Sequence, residues 1–239
     1  MTMATLDKYN RRNRRRRGLT MIEILVAVAI MTLMTVSVWV SFRSTAQSMR
    51  YAEQLQVRYA IIRNSLSRMA AEMSMAYLSF NRPPDEDRHF TLFDGRDQFT
   101  LDNVTFSAFA HVRMRKDANE SDQSVIQYFV ERDPLVPGRT HLFRRESRRL
   151  TGDTPDKMIE LFPAYIFCED IKSFDVKYWD IKKNDWVDEW RTTKQDMQPD
   201  RLPERVKITL GIMDPGTEKE IKYSVQTLLF LQEKLDFSK

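Results

Sequence analysis

The chain predicts an α+β fold, one long N-terminal helix laid across antiparallel β-sheet. Three observations predict it. Residues 19–81 contain neither proline nor glycine, so one helix can run through all of them. Leu55, Tyr59, Ile62, Leu66, Met69, Met73, Ala76 and Phe80 recur at spacings of four and three, which is one face of a helix. From Arg88 onward the pattern changes to short β-type runs with turn residues between them. A helix followed only by strands buries its apolar face against the sheet.

The first half of the helix is apolar all round. From Leu19 to Val40 the one ionisable side chain is Glu23. A helix over this stretch is about 33 Å long, and a hydrocarbon core is about 30 Å thick. It can therefore cross a membrane. Lys8, Arg11, Arg12 and Arg14 to Arg17 crowd its N-terminal side. Positive flanks stay cytoplasmic, so the N-terminus lies inside and everything after Arg43 outside. A cleavable secretory signal has a shorter apolar region followed by a small-residue cut site. Here the run continues through Trp39 and Val40, and the small residue, Gly18, precedes it.

After Ser41 the helix turns amphipathic. Opposite the apolar stripe lie Glu53, Arg58, Arg63, Arg68 and Glu72, and Pro83-Pro84 ends the helix. A coiled coil explains the spacing equally well, but the strands that follow offer the stripe a partner. Strands are expected near 89–93, 99–110, 124–132, 140–145, 165–168, 173–179, 204–213 and 220–231. Val206, Ile208, Leu210 and Ile212 alternate with Lys207 and Thr209. Asp94-Gly95, Pro137-Gly138, Thr151-Gly152 and Asp214-Pro215-Gly216 read as turns, the last as a hairpin between two long strands.

Composition narrows the function. The net charge of +4 suggests nucleic acid, but Met1–Gly18 holds seven of the 38 Lys/Arg and one of the 34 Asp/Glu. The remainder carries 31 basic and 33 acidic residues, so the basicity belongs to the N-terminal segment and no nucleic-acid partner is expected. The single cysteine, Cys168, forms no internal disulfide, and within Tyr165-Ile166-Phe167-Cys168 it reads as a small buried hydrophobe. His89, His111 and His141 stand singly, without a base or second ligand at useful spacing, and read as surface or half-buried side chains. The six glycines build no phosphate loop. Two acidic clusters, Asp85 to Asp87 and Asp180, Asp185, Asp188 and Glu189, match no calcium loop and read as solvated charge. Trp179, Trp186 and Trp190 mark an aromatic hairpin, either a core edge under a loop or a subunit contact. No enzyme and no cofactor are expected.

Glu23 is the residue that a plain membrane anchor leaves unexplained. A carboxylate in a span costs roughly 2.5–3.5 kcal/mol on insertion scales. Gly18-Leu19-Thr20-Met21-Ile22-Glu23, with a basic leader before it and an apolar helix after it, resembles the N-terminus of type IV prepilins and pseudopilins. Leu19 stands where Phe is usual and Met21 where Leu is usual. The resemblance implies cleavage by a prepilin peptidase between Gly18 and Leu19, and N-methylation of Leu19. It implies that Glu23 neutralises a neighbouring subunit's terminal amine during fibre assembly. The chain then divides into a leader, 1–18, a membrane half, 19–42, an amphipathic periplasmic helix half, 43–82, and a β-rich domain, 83–239.

Within that superfamily the chain looks most like the J-type minor pseudopilins of type II secretion. The signals are Arg58-Tyr59-Ala60-Ile61-Ile62-Arg63 with Leu66-Ser67-Arg68-Met69, then Ile171, Phe174, Val176 and Tyr178 followed by Trp186, and Leu202-Pro203-Glu204-Arg205-Val206. Glu23 argues against the K type, which usually lacks this glutamate. The resemblance implies a structural subunit at the tip of an inner-membrane-anchored pseudopilus, supporting protein export across the outer membrane. Its partners would be the I- and K-type minor pseudopilins, the major pseudopilin, the prepilin peptidase and the assembly platform. Some relatives bind calcium, and no residues here match such a site. Two other readings stay open: a minor type IV pilin, and a membrane-tethered periplasmic enzyme or binding domain, which leaves Gly18 and Glu23 without purpose.

Overall fold

The computed structural model describes residues 18–80, 91–113, 120–133, 136–148, 162–214 and 219–237. The leader up to Arg17, Pro83-Pro84, Asp85 to Asp87, His89 and the Thr151-Gly152 turn lie outside the described residues. The chain divides into two compact units, Met1–Gln56 and Val57–Lys239.

Helix α1 spans Met21–Ser74, 54 residues. In the first unit every residue from Gly18 to Thr45 is exposed. The stretch is long and apolar enough to cross a membrane. Its hydroxyls turn onto the helix's own carbonyls: Thr32 donates to Val28 (2.7 Å), Thr35 to Met31 (2.8 Å) and Ser37 to Leu33 (2.8 Å). That satisfies them without water, as hydrocarbon surroundings require. The Arg43 guanidinium lies 5.6 Å from the Trp39 ring centroid.

In the second unit α1 buries Ile62, Leu66, Met69 and Met73, spaced four, three and four. Burying each such side chain contributes about 1.5–3 kcal/mol. The expected stripe is shorter at both ends, with Tyr59 38% and Phe80 60% exposed. The helix also ends at Ser74, not near Asn81. Backbone groups beyond it are claimed from far along the chain. Tyr77 N donates to Ser107 O (3.0 Å), Phe109 N to Met75 O (3.2 Å), Phe80 N to Leu235 O (3.0 Å) and Phe230 N to Ser74 O (3.0 Å). Tertiary hydrogen bonds replace the helical ones before any proline is reached.

Among the described residues ten strands follow: β1 Phe93–Arg96, β2 Asn103–Ala108, β3 Ser124–Arg132, β4 Thr140–Ser147, β5 Ala164–Cys168, β6 Ile171–Asp180, β7 Asp185–Val187, β8 Trp190–Arg191, β9 Arg205–Met213 and β10 Glu220–Leu228. They form a six-stranded sheet, β5-β4-β3-β2-β1-β8, and a four-stranded sheet, β10-β9-β6-β7. The named strands pair antiparallel throughout. Val206, Ile208, Leu210 and Ile212 of β9 are buried, as their alternation predicts. β9 and β10 pair antiparallel, with Asp214 N donating to Lys219 O (2.9 Å), and the Pro215-Gly216 turn between them lies outside the described residues.

Asp94-Gly95 is not a turn but the middle of β1. Glycine is needed there for a different reason: a Cβ on Gly95 would lie 2.0 Å from the Tyr178 hydroxyl. The buried Tyr178 ring therefore closes on bare backbone. The segment after β7 leaves the four-stranded sheet, and β8 pairs with β1 through Gly95↔Trp190. Thr192 fastens the crossing by donating through N (3.0 Å) and Oγ1 (3.1 Å) to Phe93 O. The core between helix and sheets includes Ile62, Leu66, Met69, Phe93, Phe106, Tyr128, Phe174, Trp190 and Leu210. Cys168 is buried and free, and burial raises its thiol pKa.

Candidate functional site

The N-terminus of α1 is built by its own sequence. Thr20 N donates to Glu23 Oε2 (3.0 Å), and so does the Thr20 hydroxyl (3.2 Å). Glu23 N donates back to Thr20 Oγ1 (3.3 Å). This is a capping box, in which residues three apart satisfy each other's orphan groups at a helix start. Glu23 is thus not isolated: its carboxylate already holds two donors within the chain. Reading Glu23 by itself passed over Thr20, although Thr-x-x-Glu before an apolar run is the signal for this arrangement. Gly18 is exposed, and nothing lies within 4 Å of the position its Cβ would take. The cap begins at Thr20, so a cut between Gly18 and Leu19 leaves all three hydrogen bonds in place.

The three tryptophans separate. Trp179 and Trp186 are half-buried neighbours across β6–β7, ring centroids 5.4 Å apart. Trp190 is fully buried, donates through Nε1 to Arg201 O (2.7 Å) and carries the Arg201 guanidinium 4.7 Å from its ring centroid. A residue so enclosed offers no contact surface, and the interface expectation fails for Trp190. Arg201 also grips Asp180 through two bonds (2.6 and 3.0 Å). Asp180 is therefore buried and paired, not a solvated loop charge, and Arg201 holds its pKa down to about 2. Asp188 bonds to Lys177 (2.6 Å). Among the described residues no group of three His, Cys, Asp or Glu is arranged to hold a metal ion.

An ionic chain, buried at Glu72 and Arg144, runs from α1 into the six-stranded sheet. Glu72, placed by its spacing on the exposed face, is 7% exposed. It accepts from Arg68 Nε (2.9 Å), Tyr128 Oη (2.5 Å) and Arg144 Nε (3.1 Å). Arg144 continues to Glu146 (2.9 Å), Glu146 to His111 Nδ1 (2.7 Å), and His111 Nε2 to Glu120 (3.0 Å). Burial and the Glu72 charge push the Tyr128 phenol pKa well up, so it acts as a donor. His111 and His141 are also not the lone side chains expected. His111 lies between two carboxylates, and the hydrogen bond to Glu120 raises its pKa. His141 meets Asp133 (3.1 Å) and accepts from Asp170 N (3.0 Å). Glu146 and Asp170 lie 35 and 29 residues away, and Glu120 and Asp133 lie nine and eight away across strand connections, at no spacing that marks a pair. The chain of charges fastens helix to sheet, and no open nucleophile or base emerges from it.

A membrane-length apolar helix opened by a Thr-Glu cap, continuing onto antiparallel sheet, defines a prepilin-type subunit. Residues 13–39 match the prokaryotic N-terminal methylation motif. Residues 40–220 match the family described as type II secretion system (T2SS), protein J, and the chain belongs to that family. It is a structural pseudopilin, and its apolar N-terminal helix fits membrane anchoring. Among solved structures it is similar to a chain of the GspK-GspI-GspJ complex from the enterotoxigenic Escherichia coli type 2 secretion system. The TM-score is 0.44 at 14% identity, over 73% of this chain and 99% of that one. No curated protein matches the chain in sequence.

Proposed function

We propose that this chain is a minor pseudopilin at the fibre tip, matured by cleavage between Gly18 and Leu19 and by N-methylation of Leu19. Residues 1–18 act as the leader, 19–42 span the inner membrane with the N-terminus cytoplasmic, and 43–82 and 83–239 form the periplasmic helix half and β-rich domain. Membership in the protein J family supports I- and K-type minor pseudopilins as partners, alongside the major pseudopilin, the prepilin peptidase and the assembly platform. The role is structural and not enzymatic. The observation that carries the reading is the capped Glu23 five residues after Gly18, at the head of an apolar helical stretch exposed throughout from Gly18 to Thr45. After cleavage, Leu19 carries a free amine that is largely cationic at neutral pH. Opposite charges in apolar surroundings are costly alone and tolerable when paired, and Glu23 of one subunit would pair with the amine of the next.

Mass spectrometry of the chain from cells with active prepilin peptidase tests the reading. The expected mature form starts at a methylated Leu19, and Gly18→Leu remains uncut. An intact Met1 start would overturn it. Co-purification with I- and K-type partners tests the place in the fibre.

A further inference from the structure

The outer face of the four-stranded sheet carries a groove of about 470 Å³ that the N-terminal machinery does not use. Phe99 stands at its lip, and Asp175, Lys177, Lys207, Thr209 and Lys222 line it. Strand register creates its charge. Lys177 lies directly opposite Lys207, Asp175 opposite Thr209, and Lys222 opposite Gly211. Like charges directly opposite across a strand pair are destabilising. Asp188 offsets Lys177 at 2.6 Å. Lys207 and Lys222 are exposed and make no ion pair among the described residues. The groove therefore presents Lys207 and Lys222 beside one lining carboxylate, Asp175, while Asp188 holds Lys177 and Glu220 accepts from the lining Ser173.

Phe99 supplies an independent observation. Its φ is +66° and its side chain is 94% exposed. A bulky aromatic residue in the left-handed region is strained, and such strain persists only where the surroundings hold it. Here Phe99 N donates to Asp97 Oδ1 (2.8 Å) and Gln98 N to Asp102 Oδ1 (3.1 Å). Phe174 N donates to Thr100 O (2.7 Å), and Asp102 N to Phe174 O (2.9 Å). The loop is pinned to β6 immediately beyond the ring. Strain of this kind clusters at ligand clamps.

We propose that this groove docks an acidic, extended segment of another subunit of the same fibre. Phe99 covers an apolar side chain of that segment, and Lys207 and Lys222 take its carboxylates. An inorganic anion would engage the lysines and leave Phe99 in water. A purely apolar partner would leave the lysines uncompensated. An aromatic anchor beside complementary charge fits a protein segment, the ring contributing contact energy and the charges fixing register. The proposal rests on the assembly reading and names a surface within it.

Photocrosslinking from p-benzoylphenylalanine at position 99 of the full chain, in membranes of cells that assemble the system, tests it. The expected adduct joins a neighbouring pseudopilin, and its crosslinked peptide is acidic and extended. Lys207→Glu with Lys222→Glu should lower the yield at least about tenfold, and reversing the acidic residues of that peptide to lysine should restore it. Where charge reversal lowers the abundance of the chain, Lys207→Gln with Lys222→Gln should give the loss at normal abundance. An adduct with lipid or with a second copy of this chain, no adduct, or a yield indifferent to both double variants would overturn the proposal. Co-purification from the same membranes separates the two readings. Partners retained while the yield ignores the lysines overturns the groove alone. A wild-type chain that retains no I- or K-type partner overturns the assembly reading.

Discussion

Glu72 and Arg144 are both nearly enclosed, with side chains 8% and 9% exposed. Arg144 serves Glu72 and Glu146 together, so its removal leaves two carboxylates short of their cation. Breaking one side of a buried pair costs about 3–5 kcal/mol. Arg144→Met should lower the urea-unfolding free energy by about that amount, and Glu72→Gln in the same chain should recover part of it. A loss below about 1 kcal/mol would place the pair outside the stability of the fold. His111 adds a pH dependence. Its folded pKa is raised, chiefly by Glu120, so its contribution is fully present below the unfolded value of about 6.5 and is lost as pH rises through the folded value. The stability difference between wild type and His111→Gln should shrink from about pH 6 to about pH 9. A difference constant over that range would assign His111 a packing role only.

At the scale of elements, the apolar contact of α1 with the sheets is one short stripe, beside the ionic contact at Glu72. Leu66 is 6% exposed and lies between Ile62 and Met69, which are buried completely or nearly so. Truncating a buried leucine costs about 2–5 kcal/mol. Leu66→Ala in a form beginning at Met49 should lose that much in chemical denaturation. Ile61 is 42% exposed one residue from Ile62, and Ile61→Ala should change stability by less than about 0.5 kcal/mol. Equal effects at the two positions would mean that the helix does not pack by this face.

For the whole molecule, the two units hold different features of one chain. The Thr20–Glu23 cap lies in Met1–Gln56, and the ionic chain and core lie in Val57–Lys239. Glu23→Gln should leave membrane insertion intact, because a less polar span inserts at least as well. It should leave cleavage at Gly18 and the β-rich unit unchanged. The effect expected is loss of crosslinking to I- and K-type partners in membranes, and with it loss of secretion. Equal crosslinking and full secretion would make Glu23 a capping residue and nothing more.

The sequence by itself determined the features that depend on neighbours along the chain. Hydropathy from Leu19 to Val40 makes the helix apolar enough to cross a membrane, and Thr20 with Glu23 caps it by a three-residue contact. Two-residue alternation determined which side of β9 is buried, and Asp214 marks the hairpin into β10. Tertiary structure decided what depends on distant partners. The helix stops at Ser74 because Ser107, Leu235 and Phe230 compete for the backbone around and beyond it. Glu72 is buried because Tyr128 and Arg144 arrive 56 and 72 residues later with donors. Trp190 is core because β8 crosses to β1, and Lys177 and Lys207 stand together because β6 and β9 pair in that register. A local pattern records which side of an element is apolar. The partner that makes a buried charge tolerable, or leaves an exposed one uncompensated, is set by register between segments far apart in the chain.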